Sequence, residues 1–180
     1  MRIIAGQWRG RKLTAPPGEA TRPTADRVRE TLFSMLASRL GSFAGLAVAD
    51  LFAGSGAVGL EALSRGAENC MFVENEAAAL RTLRANIAAL HAQPASEVRA
   101  VSVFALGPAP RPVDLVLLDP PYRLGAGAVA LDRLMRLGWL GPSTLIVLET
   151  AADEAVAIKG LAVATERRVG AARLNFLRTE

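Results

Sequence analysis

Cysteine occurs once in this chain, at Cys70 inside an apolar run. A lone thiol excludes an internal disulfide framework, so the expected compartment is reducing. Cys70 itself reads as a small core residue, since no second cysteine or basic cluster adjoins it in sequence. Histidine also occurs once, at His91, where a predicted helix ends and a favourable dipole contact is ordinary. No His, Cys and Asp residues recur at metal-ligand spacing, so no metal is expected. Long apolar runs are missing as well. Nothing approaches a membrane-spanning length, and the opening MRIIAGQWRGRKL carries no apolar stretch of signal-peptide type. These absences point to a cytoplasmic protein with no membrane partner. Lysine appears only at Lys12 and Lys159. The preference for arginine is read as genomic base composition rather than function.

What remains is ample for a core. Apolar residues make up 51% of 180 and charged residues 21%, which excludes disorder and fits one domain with a small extension. The net charge is +4, and it is unevenly placed. Arg2, Arg9, Arg11 and Lys12 supply four positive charges to residues 1–18, which hold no acid; the other residues carry 17 bases and 17 acids. Two readings stand: an arm that binds nucleic acid, or a solvated surface hairpin. Trp8, between Gln7 and Arg9, either stacks on a base or packs the hairpin on the body.

The chain organises as an extension, 1–45, followed by an α/β body, 46–180. RIIAGQW and GRKLTAP are predicted as short strands around a tight turn at Arg9-Gly10. So small a hairpin does not fold alone, and its removal is expected to leave the sheet intact. Thr24 is placed to cap a helix whose apolar residues Val28, Leu32, Phe33, Met35 and Leu36 recur at helical spacing, ending near Gly41. Strands are then predicted at 47–53, 70–74, 98–103, 114–119 and 144–150. Helices are expected after the glycine-rich turn at 54–59, over Glu76 to His91, and over Leu124 to Leu137. LAVATERR and ARLNFLR close the chain as a pair around Gly170. Such alternation predicts a parallel sheet covered on both faces.

Two motifs sit at strand ends. In DLFAGSGAVG, Gly54, Gly56 and Gly59 match G-x-G-x-x-G, and Glu74 follows 20 positions after Gly54. Glycines let a ligand approach the backbone, and an acid at the end of the second strand can accept hydrogen bonds from ribose hydroxyls. Asp50 is placed to face a positive amino group, which S-adenosylmethionine has and a nicotinamide dinucleotide lacks; it also reads as an ordinary loop acid. The second motif, LLDPPY, ends the strand expected beside the first. An exocyclic amine on a nucleobase is a poor nucleophile because its lone pair is delocalised. Acceptors at Asp119 and the Pro120 carbonyl would favour a pyramidal nitrogen aimed at a sulfonium methyl. Pro120 and Pro121 offer no competing N–H and stiffen the loop, and Tyr122 offers a stacking face. Catalysis is then mostly alignment and electrostatic placement.

DLFAGSG with LLDPPY resembles the class I amino-methyltransferases that use S-adenosylmethionine. MRIIAGQWRGRKL followed by RPTADRVRETLFSML is similar to the bacterial 16S ribosomal RNA guanine-N2 methyltransferases of the D type. The resemblance covers nearly the whole chain. It implies an α/β, Rossmann-like class I methyltransferase fold. The sheet would be seven-stranded and mostly parallel with the last strand antiparallel, plus an N-terminal β-hairpin and helix. It implies S-adenosylmethionine as cofactor and a guanine 2-amino group in 16S rRNA, naked or in the assembling small subunit, as target. A monomer is expected. Position by position, Asp50, Ala53, Gly54, Gly56 and Glu74 match cofactor residues, and Asp119, Pro120, Pro121 and Tyr122 the catalytic loop. Arg2, Arg9, Arg11, Lys12, Arg22, Arg27 and Arg123 are the candidate RNA contacts. Arg22, Pro23, Thr24, Asp26, Arg27 and Glu30 match a second signature, lying over the methionine end of the cofactor or at the RNA entrance. Many relatives carry Asp or Asn after the third strand to read the adenine. This chain has VSVFAL, so Ser102 or a backbone N–H takes that contact.

Other functions compete. A DNA adenine or cytosine methyltransferase usually inserts a recognition region, whereas only 62 residues lie between Gly56 and Asp119 and the sheet uses them. Recognition by arm and loops suits an RNA that supplies its own shape. A non-enzymatic RNA-binding assembly protein does not need an intact D-P-P-Y loop. An oxidoreductase would bind nicotinamide.

Overall fold

A computed structural model describes residues 1–18, 23–121 and 125–180. Arg22, Tyr122 and Arg123 lie outside the described residues. The body contains seven strands: β1 (Ala47–Leu51), β2 (Asn69–Val73), β3 (Ser96–Arg99), β4 (Val113–Leu118), β5 (Leu140–Ala151), β6 (Leu161–Val169) and β7 (Ala172–Thr179). They form one sheet in the order β3-β2-β1-β4-β5-β7-β6. β1 to β5 run parallel, and β7 is antiparallel to both β5 and β6. The expected seven-stranded sheet with its last strand antiparallel is therefore observed.

The helices are α1 (Pro23–Leu40), α2 (Ala57–Ser64), α3 (Ala77–Ala89) and α4 (Ala126–Arg136). α1 to α3 cover one face, where Leu36, Leu60 and Leu83 meet Leu115, Leu145 and Phe176; α4 covers the other, where Leu131 and Leu134 meet Val116 and Ile146. The central strands are buried on both faces, which is why they read as continuous apolar runs. Two boundaries differ from expectation. α1 starts at Pro23, so Thr24 lies inside its first turn rather than at the cap; proline is tolerated there because its missing N–H would lack a helical partner. β3 covers 96–99 instead of 98–103, and a 3-10 turn, Val103–Ala105, follows. Its Ser102 accepts the Phe104 N–H at 3.2 Å, which diverts the chain out of the strand.

The N-terminus is not a free hairpin. Its ladder is one bridge, Arg2 to Lys12, extended by Ile3 N–H to the Arg11 carbonyl and Leu13 N–H to the Met1 carbonyl. The segment between folds onto α2. Ile4 and Ala5 donate their N–H groups to Glu61 at 2.8 and 3.0 Å, and Trp8 donates to Ser64 Oγ at 3.0 Å. Gly6, at φ +87°, lies so close that a Cβ would stand 1.9 Å from the Ser64 carbonyl oxygen. Asn86 of α3 holds both the N–H and the carbonyl of Thr14. Ile3 and Leu13 are buried in the core of this face, and Trp8 is half-buried against it. The expectation that the arm could be removed without cost to the sheet is thus corrected. The arm contributes core side chains and satisfies a buried carboxylate.

Candidate active site

β1 and β4 are neighbours, with Leu51 paired to Leu118, so the two sequence motifs emerge side by side at the carboxyl end of the sheet. Between them lies a cavity of about 760 Å³, well within the range for small-molecule sites. Ala53, Gly54, Glu74, Ser102, Asp119, Pro120 and Pro121 all line it. Asp50 and Gly56 are not among its lining residues.

Each wall has a local cause. Gly54 has φ +57°, and a Cβ there would meet nothing within 4 Å, so its bare backbone faces open space. The Gly54 N–H donates to Glu74 Oε2 at 2.8 Å, while Glu74 Oε1 accepts the N–H groups of Asn75 and Glu76 at 2.9 and 3.0 Å. Glu74 therefore holds the loop in shape from the end of β2. Glu76 caps α3 by accepting from Ala78 and Ala79; the amide of Ala79 first and that of Ala78 next hold its carboxyl below the usual range.

Asp50 is 4% exposed. Its Oδ2 accepts the Gly59 N–H at 2.9 Å. Burial pushes its carboxyl up to about 8; the Gly59 hydrogen bond opposes this, and the Asp119 and Glu74 charges add to it. Cys70 beside it is fully buried, and burial, reinforced by the Asp50 charge, pushes the thiol well up, in keeping with an inert core residue.

Sequence reasoning missed several lining residues. Phe52 has φ +58°, a conformation that costs a non-glycine residue about 1–3 kcal/mol. Its ring meets Phe104 edge-on at 6.0 Å, and Phe104 is 41% exposed. With Val101 they give the cavity an apolar lip beside Ser102. No spacing rule reveals such a lip, because the turn that brings Phe104 there follows an unexpectedly short strand. Met1, Ala15 and Pro16 also reach the cavity, as do Ala25 and Asp26 of the second signature. Asp26 pairs with Arg29 at 3.3 Å, and Arg29 in turn donates to the Arg2 carbonyl at 2.6 Å. Arm, signature helix and cavity are therefore physically continuous.

Of the candidate RNA contacts, Arg2, Arg9, Arg11, Lys12 and Arg27 are exposed. Arg2 donates to the Gly10 carbonyl at 2.8 Å and Arg11 to the Ala89 carbonyl at 2.6 Å, so both also brace the arm. Among the described residues no group of acids, histidine and cysteine could hold a metal, and no helix is long and apolar enough to cross a membrane.

A family model described as "Conserved hypothetical protein 95" matches residues 1–178. The Ribosomal RNA small subunit methyltransferase D of Escherichia coli K12 is 42% identical over 153 residues, covering 85% of this chain and 76% of that protein. Its namesake in Haemophilus influenzae is 40% identical over 158 residues, covering 86% and 80%. The solved structure of the yhhF protein from Escherichia coli superposes with a TM-score of 0.84 at 37% identity, over 100% of this chain and 98% of that one. Magnesium protoporphyrin IX methyltransferase from Synechocystis, solved with bound S-adenosylmethionine, superposes at 0.67 over 91% and 87%, at 13% identity. At that identity the likeness concerns the fold alone, which is the class I methyltransferase fold.

Proposed function

Because the chain belongs to the Conserved hypothetical protein 95 family, we propose that it is an S-adenosylmethionine-dependent rRNA methyltransferase acting on the exocyclic 2-amino group of a guanine in 16S rRNA. The observation that carries this reading is the meeting of Gly54, Glu74 and Asp119-Pro120-Pro121 around one cavity.

The cavity suits the cofactor. Gly54 leaves room for a ligand against its backbone, Glu74 offers acceptors at the rim, and Phe52 and Phe104 provide an apolar lip for adenine. When bound, S-adenosylmethionine supplies an electrophilic methyl on a sulfonium. The protein's share is positioning. Asp119 and the Pro120 carbonyl accept the two N–H bonds of the target amine, which localises its lone pair and turns it toward the cavity. Pro120 and Pro121 present no N–H that would compete for that lone pair. The proton leaves readily once the nitrogen is alkylated, so no strong base is required. Arg9 and Lys12, exposed on the arm, and Arg27 on α1 are suited to phosphate contacts that hold a shaped RNA near the cavity mouth.

The test is mass mapping of 16S rRNA nucleosides from cells with and without the gene, complemented with the natural protein or with Asp119→Ala. One N2-methylguanosine should vanish with the gene, return with the natural protein and stay absent with the variant, while S-adenosylmethionine binding by the purified variant stays near normal. An unchanged nucleoside map would sink the reading; restoration by Asp119→Ala would remove Asp119 from catalysis.

A further inference from the structure

Resting on that reading, one question is open: a D-P-P-Y loop suits amines on adenine, cytosine and guanine alike. The position beside Asp119 addresses it. β4 and β5 are parallel neighbours with Leu118 paired to Leu148, so Asp119 and Glu149 are adjacent across the sheet. Alternation along each strand puts both on the face of Leu117 and Val147. Both line one recess of about 20 Å³, whose wall also includes the buried Asp50. That space is too small to hold a whole base. Glu149 also lines a second recess, of about 120 Å³, bounded by Pro120 and Pro121, yet takes no part in lining the cofactor cavity.

The three amine-bearing bases differ at the ring atom next to the amine. In guanine one such neighbour, N1, carries a hydrogen, while N3 on the other side of the amine carries a lone pair. In adenine N1, and in cytosine N3, carries a lone pair. A carboxylate accepts hydrogen bonds and cannot donate them when ionised. Opposite guanine it gains a bond beside the one Asp119 makes; opposite adenine or cytosine it meets a lone pair. A site built to bond a polar edge rejects analogues that leave its groups unpaired, and reading by the Watson–Crick edge is the general mode for a base taken out of its stack.

We propose that Glu149 is the residue that selects guanine, its carboxylate accepting the N1–H while Asp119 accepts from the adjacent amino group.

The test uses the full-length protein and small-subunit rRNA carrying either guanosine or 2-aminopurine riboside at the mapped target. The analogue keeps the 2-amino group but has a lone pair at N1. The natural protein should favour guanosine by about tenfold or more in kcat/KM, the scale of one charge-assisted hydrogen bond. Glu149→Gln, whose amide can donate to N1, should shrink or invert that ratio by a similar factor, with S-adenosylmethionine binding unchanged. Glu149→Asp should keep the preference. The loss of the analogue's 6-oxo group is common to all three proteins and cancels between them. A merely structural Glu149 would lower both rates together, so an equal ratio in the natural protein and Glu149→Gln overturns the inference and leaves the amino-methyltransferase reading standing. The comparison within the natural protein needs no variant: equal rates on the two substrates overturn the inference by themselves. If neither substrate is methylated, the function proposed above fails and the inference with it.

Discussion

Glu61 of α2 and Asp50 of β1 are both carboxylates withdrawn from water, at 0% and 4% exposure, and their surroundings could hardly differ more. Glu61 accepts from the Ile4 and Ala5 N–H groups and from the Arg65 guanidinium, three donors for one acid. Asp50 accepts from the Gly59 N–H, with the negative charges of Asp119 and Glu74 nearby. The first is a matched charge at the seam where the arm joins the body. The second is buried among other carboxylates, and burial pushes its carboxyl up to about 8, so it keeps its proton where a free carboxylate would not. A structural seam can be satisfied completely.

The hardest way to break this contrast is Glu61→Ala. The variant leaves two half-buried amides and a guanidinium without their acceptor. Removing one partner of a buried pair typically costs about 3–5 kcal/mol, and here Ile3 and Leu13 would lose their hold on the core as well. Urea denaturation of the natural and variant proteins measures it. A loss under about 1 kcal/mol would show that packing alone seats the arm.

Asp50→Asn should act in the opposite direction. The Asp50 carboxyl sits at about 8 in the folded protein, against a reference value of 3.8. Between those limits the folded chain keeps a proton that the unfolded chain has lost. Raising the pH through this window therefore lowers the stability of the natural protein. Asparagine has no proton to lose and can still accept the Gly59 N–H. The variant's advantage should grow by up to about 1.4 kcal/mol per pH unit. Urea midpoints at several pH values between about 5 and about 8 provide the check, and parallel curves for the two proteins would show that Asp50 is ionised throughout.

Why the sheet and its motifs were legible and the role of Glu61 was not follows from the same two regions. Asp50 stands at a fixed offset from Gly54, and the apolar runs of β1 and β4 announce buried strands, so the motifs and the sheet were legible. Glu61 lies in GLEALSRG, where an acid among helix formers looks like a solvated face. Its donors lie 57 and 56 residues away at Ile4 and Ala5, a separation no local pattern encodes. The arm's seat was missed for that reason: Ile3, Leu13 and Pro16 are buried, but the partners that seat the arm are distant in sequence, so it was expected to be dispensable for the sheet. β3 was misplaced because it is short and half-exposed, giving a weak period. The left-handed Phe52 is set by the loop it closes, and nothing in its identity requires it.

The smallest expected effect on the fold separates the arm's two duties. If Glu61 and Ser64 seat the arm, its outward charges are available for other work without structural penalty. Arg2 and Arg11 are poor probes of this, since each bonds a backbone carbonyl that helps to fix the arm. Arg9 and Lys12 are exposed and better suited. The double variant Arg9→Gln with Lys12→Gln should change stability by no more than about 0.5 kcal/mol. Cofactor affinity should also hold, because neither residue lines the cavity. RNA affinity should fall. The slope of log affinity against log salt should drop by roughly 0.7–0.9 for each phosphate contact removed. Binding to small-subunit rRNA at several salt concentrations, beside a urea melt of the same preparation, reads both duties at once. Equal slopes would make the arm a purely structural cover, and phosphate contacts would then have to come from Arg27 and the face of α1. A lowered slope with an unchanged melt would show that one short segment carries a buried anchor on one side and an RNA contact on the other, joined at the Glu61 seam.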